Sequence, residues 1–201
     1  MNIIEEVIEL EWPMFHNVNN EGGRADCQYN HRTFTEMRAS QYSAWDIPTL
    51  ESYRDDLKAA KARDWNLLTE KYGRMMASTA PDQYARIAHL LPPVSDEKKE
   101  LVEEIVLIQT ACRQAFADKY PKLAAAGRKM YTAQDSDSDT SYETYITGEF
   151  QTYSEKTLEL YRAHLIDCLV HRKNMVEKMM ETLVRFYGYK SLEEAEARSE
   201  G

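Results

Sequence analysis

The residue types best suited to chemistry crowd into one stretch, Glu11 to Gln41. It holds a Trp12-Pro13 step, Asn20, a Gly22-Gly23 pair, Arg24, Cys27-Gln28, and then Thr33, Arg38, Ser40 and Gln41. Two guanidiniums near a turn with free backbone N–H groups form a receiver for a carboxylate or phosphate. Asn20, Gln28 and Gln41 supply neutral donors and acceptors of the kind that orient a polar ligand. Cys27 lies three residues after Arg24, and a nearby positive charge lowers a thiol pKa and favours a nucleophilic thiolate. A lone Cys also serves as a small buried hydrophobe, the more ordinary use. The Gly-Gly-Arg run lacks the GK[ST] ending and preceding strand of a nucleotide-binding loop.

A second constellation lies late in the chain. Glu149 falls in line with Tyr142, Tyr145 and Tyr153. A carboxyl among phenols is a candidate general acid or base with a raised pKa, and Glu11 is its counterpart in the first stretch. His164, Cys168 and His171 share one helical face, but the spacing fits no standard zinc pattern. No Glu-x-x-His pair occurs, which argues against a di-iron bundle, so no metal ligand is assigned and the cofactor stays open. Met75-Met76 and Met179-Met180 read as gap-filling core or adaptable apolar contact.

The elements that must hold these groups are helical. Apolar residues recur at helical spacing throughout, and no segment alternates with period two over strand length. Seven Gly and six Pro in 201 residues are few for a loop-rich chain. Asn2 and Glu5 form a capping box for a first helix that kinks or ends at Pro13. Further helices are expected over about 31–45, from Asp46 through about Met76, from Ala80 to about Leu91, from Ser95 to about Tyr120, and from Tyr142. Ser154 opens a long last helix through Tyr187, closed by Gly188. The acidic run after Gln134 is expected to be a mobile loop. The fold class is therefore all-α: one multi-helix, bundle-like domain over residues 1–201, of about six to eight helices, with a short acidic helix and tail at about 191–201.

A net charge of −9 argues against a general nucleic-acid binder. The start, MNIIEEVIELEW, has no basic n-region and does not read as a signal peptide. No apolar run approaches membrane-spanning length. Three Cys without a CxxC fit reduced thiols in a cytoplasm.

The run E-W-x-M-F-x-x-V-x-N-x-G-G-R-A-x-C-Q, followed by T-F-x-x-M-R-x-S-Q, resembles a family of bacterial proteins known only as a domain of unknown function. It matches here from Glu11 to Gln28 and from Thr33 to Gln41, and Ser141–Ser154 resembles the family too. The resemblance spans nearly the whole chain. It implies a bacterial, cytoplasmic protein and transfers no residue role.

The residues together suggest a small helical enzyme or ligand-binding domain for a polar, anionic small molecule, with homo-oligomerisation left open. Arg24 and Arg38 would clamp the anion. Trp12, Asn20, Gly22, Gly23, Gln28, Gln41, Tyr145 and Tyr153 would complete the site. Glu11, Glu149 and Cys27 are the catalytic candidates. One alternative is a non-catalytic protein-interaction module; another is a metal-dependent helical hydrolase using His164 and His171.

Overall fold

The computed structural model describes residues 2–18 and 26–199, apart from the side chains of Asp26 and Cys27. Eleven α-helices occur among the described residues: α1 (Ile3–His16), α2 (His31–Tyr42), α3 (Ile47–Ala62), α4 (Leu67–Thr79), α5 (Pro81–Ile87), α6 (Asp96–Lys119), α7 (Pro121–Ala125), α8 (Tyr142–Phe150), α9 (Glu155–Val170), α10 (Met175–Phe186) and α11 (Leu192–Arg198). The only β pairing among those residues is an isolated bridge between Ser136 and Asp139. The all-α expectation therefore holds, with more and shorter helices than the periodicity suggests.

Beyond eight, two of the extra helices come from breaks in longer runs, and the third is the short α7. The apolar period runs from Asp46 to Met76 without a gap, and again from Ser154 to Tyr187. Yet the chain turns at Asp64 and at Arg172, both in the left-handed region with φ of 54° and 56°. In each turn an N–H reaches back five residues, from Trp65 to Ala60 and from Lys173 to Cys168, closing the old helix. Asn then starts the new one. Asn66 accepts from the N–H groups of Leu68 and Thr69, and Asn174 from those of Val176 and Glu177. Each Asn also donates across the fold, Asn66 to the Met14 carbonyl and Asn174 to that of Cys112, both at 2.8 Å. A left-handed non-glycine residue costs roughly 1–2 kcal/mol, which these caps and ties offset. Gly188, with φ of 87°, ends α10 as expected.

Two smaller expectations change. Helix α1 continues through Pro13 to His16, because proline removes one helical bond and Asn17 N–H still closes the last turn on Pro13 O. The acidic loop is tied down: Asp135 accepts from the hydroxyls of Ser78 and Thr144 and from the Ser141 N–H, at 2.5, 2.6 and 2.6 Å.

Helix α1 packs on α2, α3 and α4; α4 on α8; α6 on α8, α9 and α10; and α2 on α10. One apolar core runs from Val7 on α1 to Ala195 on α11. The α4–α8 crossing is close because Gly148 has no side chain. A Cβ there would sit 2.9 Å from Met75 Cγ and 3.0 Å from the Lys71 carbonyl oxygen. No helix among the described residues is long and apolar enough to cross a membrane.

Candidate functional site

The site grows out of charged residues placed in apolar stripes. On α1 the buried positions are Val7, Ile8, Glu11 and Met14, so helical spacing alone carries Glu11 inward. On α4, Lys71 shares the stripe of Leu67, Leu68 and Met75. On α8, Glu149 lies between buried Gly148 and Phe150. Arg38 comes from the buried face of α2. Packing α1, α2, α4 and α8 together brings two acids and two bases into contact in the interior.

Arg38 bridges the acids. Its Nη2 lies 3.2 Å from Glu11 Oε1, and its Nη1 lies 3.2 Å from Glu149 Oε1. Tyr42 and Tyr53 donate to Glu11 at 2.6 and 2.7 Å. Gln41 and Tyr153 donate to Glu149 Oε1 at 2.9 and 2.8 Å, and the Lys71 ammonium binds Oε2. The Arg38 Nη1 also donates to Gln41 Oε1 at 2.6 Å. Lys71 Nζ stands over the Tyr145 ring, 3.4 Å from its centre. Two carboxylates face two cations, and every carboxylate oxygen has a donor.

The electrostatics follow from this pairing. Burial alone would raise the Glu149 carboxyl, but Lys71 and Arg38, with the bond from Gln41, hold it well below the ordinary carboxylate range. The aromatic face expected from the sequence implies a raised carboxyl; the two cations reverse that direction. Burial pushes the phenols of Tyr42, Tyr53 and Tyr153 well above their ordinary value, and Glu11 or Glu149 adds to the effect.

A cavity of about 870 Å³ opens beside this network. Arg38, Gln41, Tyr145 and Glu149 form part of its wall. Another part comes from α6, the segment before α8 and the first residue of α8: Gln109, Arg113, Gly127, Arg128 and Tyr142. The Arg113 guanidinium is 4.8 Å from the Tyr142 ring centre, and that of Arg128 is 4.5 Å from the Tyr145 ring centre. Arg113 is 8% exposed, and its Nε is buried with no hydrogen-bond partner. Among the described residues its one hydrogen bond is from Nη2 to the Arg128 carbonyl at 3.5 Å. Arg128 itself is exposed and donates to the Thr140 carbonyl at 3.0 Å. Neither guanidinium meets a carboxylate among the described residues. Burial, with Arg128 nearby, lowers the Arg113 pKa, although an arginine stays protonated at neutral pH.

The sequence candidates therefore separate. Glu11, Arg38, Gln41, Glu149 and Tyr153 meet in the buried network, and Tyr145 borders it from the cavity. Arg38, expected as half of an anion clamp, already carries two carboxylates. Gln28 is 2% exposed and donates to the Phe15 and Val18 carbonyls, holding the end of α1. Trp12 packs on Phe34 and edge-on to His31. Asn20, Gly22, Gly23, Arg24 and the Cys27 side chain lie outside the described residues. His164 Nε2 lies 2.9 Å from the Ala44 carbonyl, and His171 Nδ1 lies 2.9 Å from that of Asp167. Among the described residues no three His, Cys, Asp or Glu side chains group as metal ligands would.

Sequence reasoning misses Lys71, Arg113 and Arg128. For Lys71 and Arg113 a signal exists. Lys71 interrupts the α4 stripe, and Arg113 sits in the α6 stripe of Val106, Gln109 and Phe116. Arg128 carries no such mark, since its position depends on how the segment before α8 folds back.

One family model, described as a protein of unknown function (DUF4125), matches residues 1–197. No curated protein and no solved structure matches the chain.

Proposed function

We propose, from the site alone because the chain belongs to the DUF4125 family of proteins of unknown function, that it binds a small anionic molecule in the cavity between α2, α6, α8 and α10. The observation that carries this reading is Arg113. A guanidinium that is 8% exposed and lines the cavity, with its Nε buried and unpartnered and no carboxylate beside it among the described residues, is an incomplete ion pair. Leaving a buried charge unpaired is costly, and an anionic ligand completes it. Arg113 receives the charge, and Arg128 guides the anion in from the exposed side. Tyr145, beneath the Arg128 guanidinium, and Gln41 also border the cavity.

In this reading Glu11 and Glu149 neutralise Arg38 and Lys71 and hold the wall in shape. Glu149 is a fixed acceptor at neutral pH, because its cationic neighbours keep it ionised. The balanced network leaves the uncompensated positive charge at the Arg113 end.

The test is a thermal-shift titration with millimolar carboxylate and phosphate metabolites on wild type and Arg113→Met. Binding to the folded state raises the midpoint by mass action. At least one anion should raise the wild-type midpoint and leave that of Arg113→Met unmoved. An anion that shifts both proteins equally would overturn this placement.

A further inference from the structure

We infer that the ligand is an amphipathic monoanion: a carboxylate attached to an apolar body that lies along α10. This rests on the cavity reading above and adds the chemical class.

The charge follows from the side chains at the wall. Glu11, Glu149, Arg38 and Lys71 sum to zero and contact one another. The surplus is Arg113 and Arg128. Arg128 is exposed and solvated, so one buried positive charge is left without a carboxylate partner among the described residues. A single carboxylate matches it, and its planar oxygens suit a guanidinium edge. A multiply charged ligand would bring excess negative charge toward ionised Glu149.

The body follows from the remaining wall. Helix α10 presents Met175, Met179, Met180, Leu183 and Val184 to the cavity, and α2 presents Phe34 and Met37. Methionine side chains are flexible and polarizable and mould to an apolar guest. Met179 and Met180 are only half-buried in this structure, so covering them removes apolar surface from water. A purely polar anion would leave this wall without a partner.

Gly127 adds a local handle. A Cβ at this position would lie 2.5 Å from Arg113 Nη2. The missing side chain lets the guanidinium rest where it does, so Gly127→Ala displaces Arg113 without removing its charge.

The experiment is calorimetric titration of the full chain with acetate, butyrate, hexanoate and octanoate, with octanol and citrate as controls. Octanoate is kept below its micellar concentration. Affinity should rise roughly three- to fourfold per methylene, the gain expected for burying a CH₂ group. Octanol should bind at least about tenfold more weakly than octanoate, since it lacks the charge that pairs with Arg113. Arg113→Met should abolish that carboxylate–alcohol difference, and Gly127→Ala should reduce it while the charge remains. Met179→Gln with Met180→Gln should flatten the chain-length series. Citrate binding that depends on Arg113, with no gain along the carboxylate series, would overturn the amphipathic class and leave the anion site standing. Octanoate binding unchanged in both Arg113→Met and Gly127→Ala would overturn the site itself.

Discussion

The two basic ends of the interior differ in one respect. At the α1–α2–α4–α8 junction, Arg38 and Lys71 meet Glu11 and Glu149, and three tyrosines and Gln41 satisfy the remaining oxygens. At the α6–α8 end, Arg113 and Arg128 meet aromatic faces and backbone carbonyls but no acid among the described residues. Burial is similar for Arg38 and Arg113, at 6% and 8% exposed. Buried charge alone therefore does not mark a binding site. A closed network organises the fold, whereas an open one still lacks a partner.

The largest expected break in this comparison is at Glu149. Glu149→Leu leaves Arg38 and Lys71 buried with one carboxylate between them, and should cost about 3–5 kcal/mol in urea denaturation. That is a large part of the roughly 5–15 kcal/mol of a typical domain. A loss below about 1 kcal/mol would show that the network is not closed in solution.

The same network sets the pH limits. Glu149 is depressed in the fold, so its contribution is full above the ordinary carboxylate value of 4.5 and is lost as pH falls below it. Tyr42, Tyr53 and Tyr153 are raised, so their contribution is full below the ordinary phenol value of 10.0 and is lost as pH rises past it. Melting temperatures against pH should show a plateau between these limits. Glu149→Leu should lose the dependence on its own titration at the acid edge.

Gly148→Ala comes next. Its Cβ would press on Met75 and the Lys71 carbonyl, separating α4 from α8 and stretching the Lys71–Glu149 pair. Overpacking of this kind should cost about 1–3 kcal/mol, read by the same denaturation. The smallest effect sharpens the contrast by its sign. Arg113→Met removes an unpaired buried cation and should raise the stability of the ligand-free protein by about 1 kcal/mol, opposite to the effect at Glu149.

Much of the fold is legible in the order of the amino acids. Asn2 with Glu5 caps α1, Ser95 caps α6, Ser141 caps α8 and Ser154 caps α9, each by a side-chain oxygen accepting a backbone N–H. These signals are local, so periodicity and capping residues suffice. The breaks at Asp64 and Arg172 are hidden because the apolar period continues across them and neither turn contains glycine. Asn66 and Asn174 are the available clue, each standing just before an apolar pair.

The candidate site divides along the same line. Residue types and spacing mark Glu11, Arg38, Gln41 and Glu149 as polar groups on helical faces, and helix geometry alone turns Glu11 inward; Tyr153, expected on the same helix as Glu149, instead lies in the turn after α8. The sequence by itself determined an all-helical chain, its main capping signals and a set of charged residues in apolar stripes. Only the tertiary structure decided which charges meet. Glu149 is 111 residues from Arg38 and 78 from Lys71 along the chain, so their pairing depends on how α2, α4 and α8 pack. That packing neutralises Arg38 and leaves Arg113 open to the cavity, a distinction that no spacing along the chain encodes.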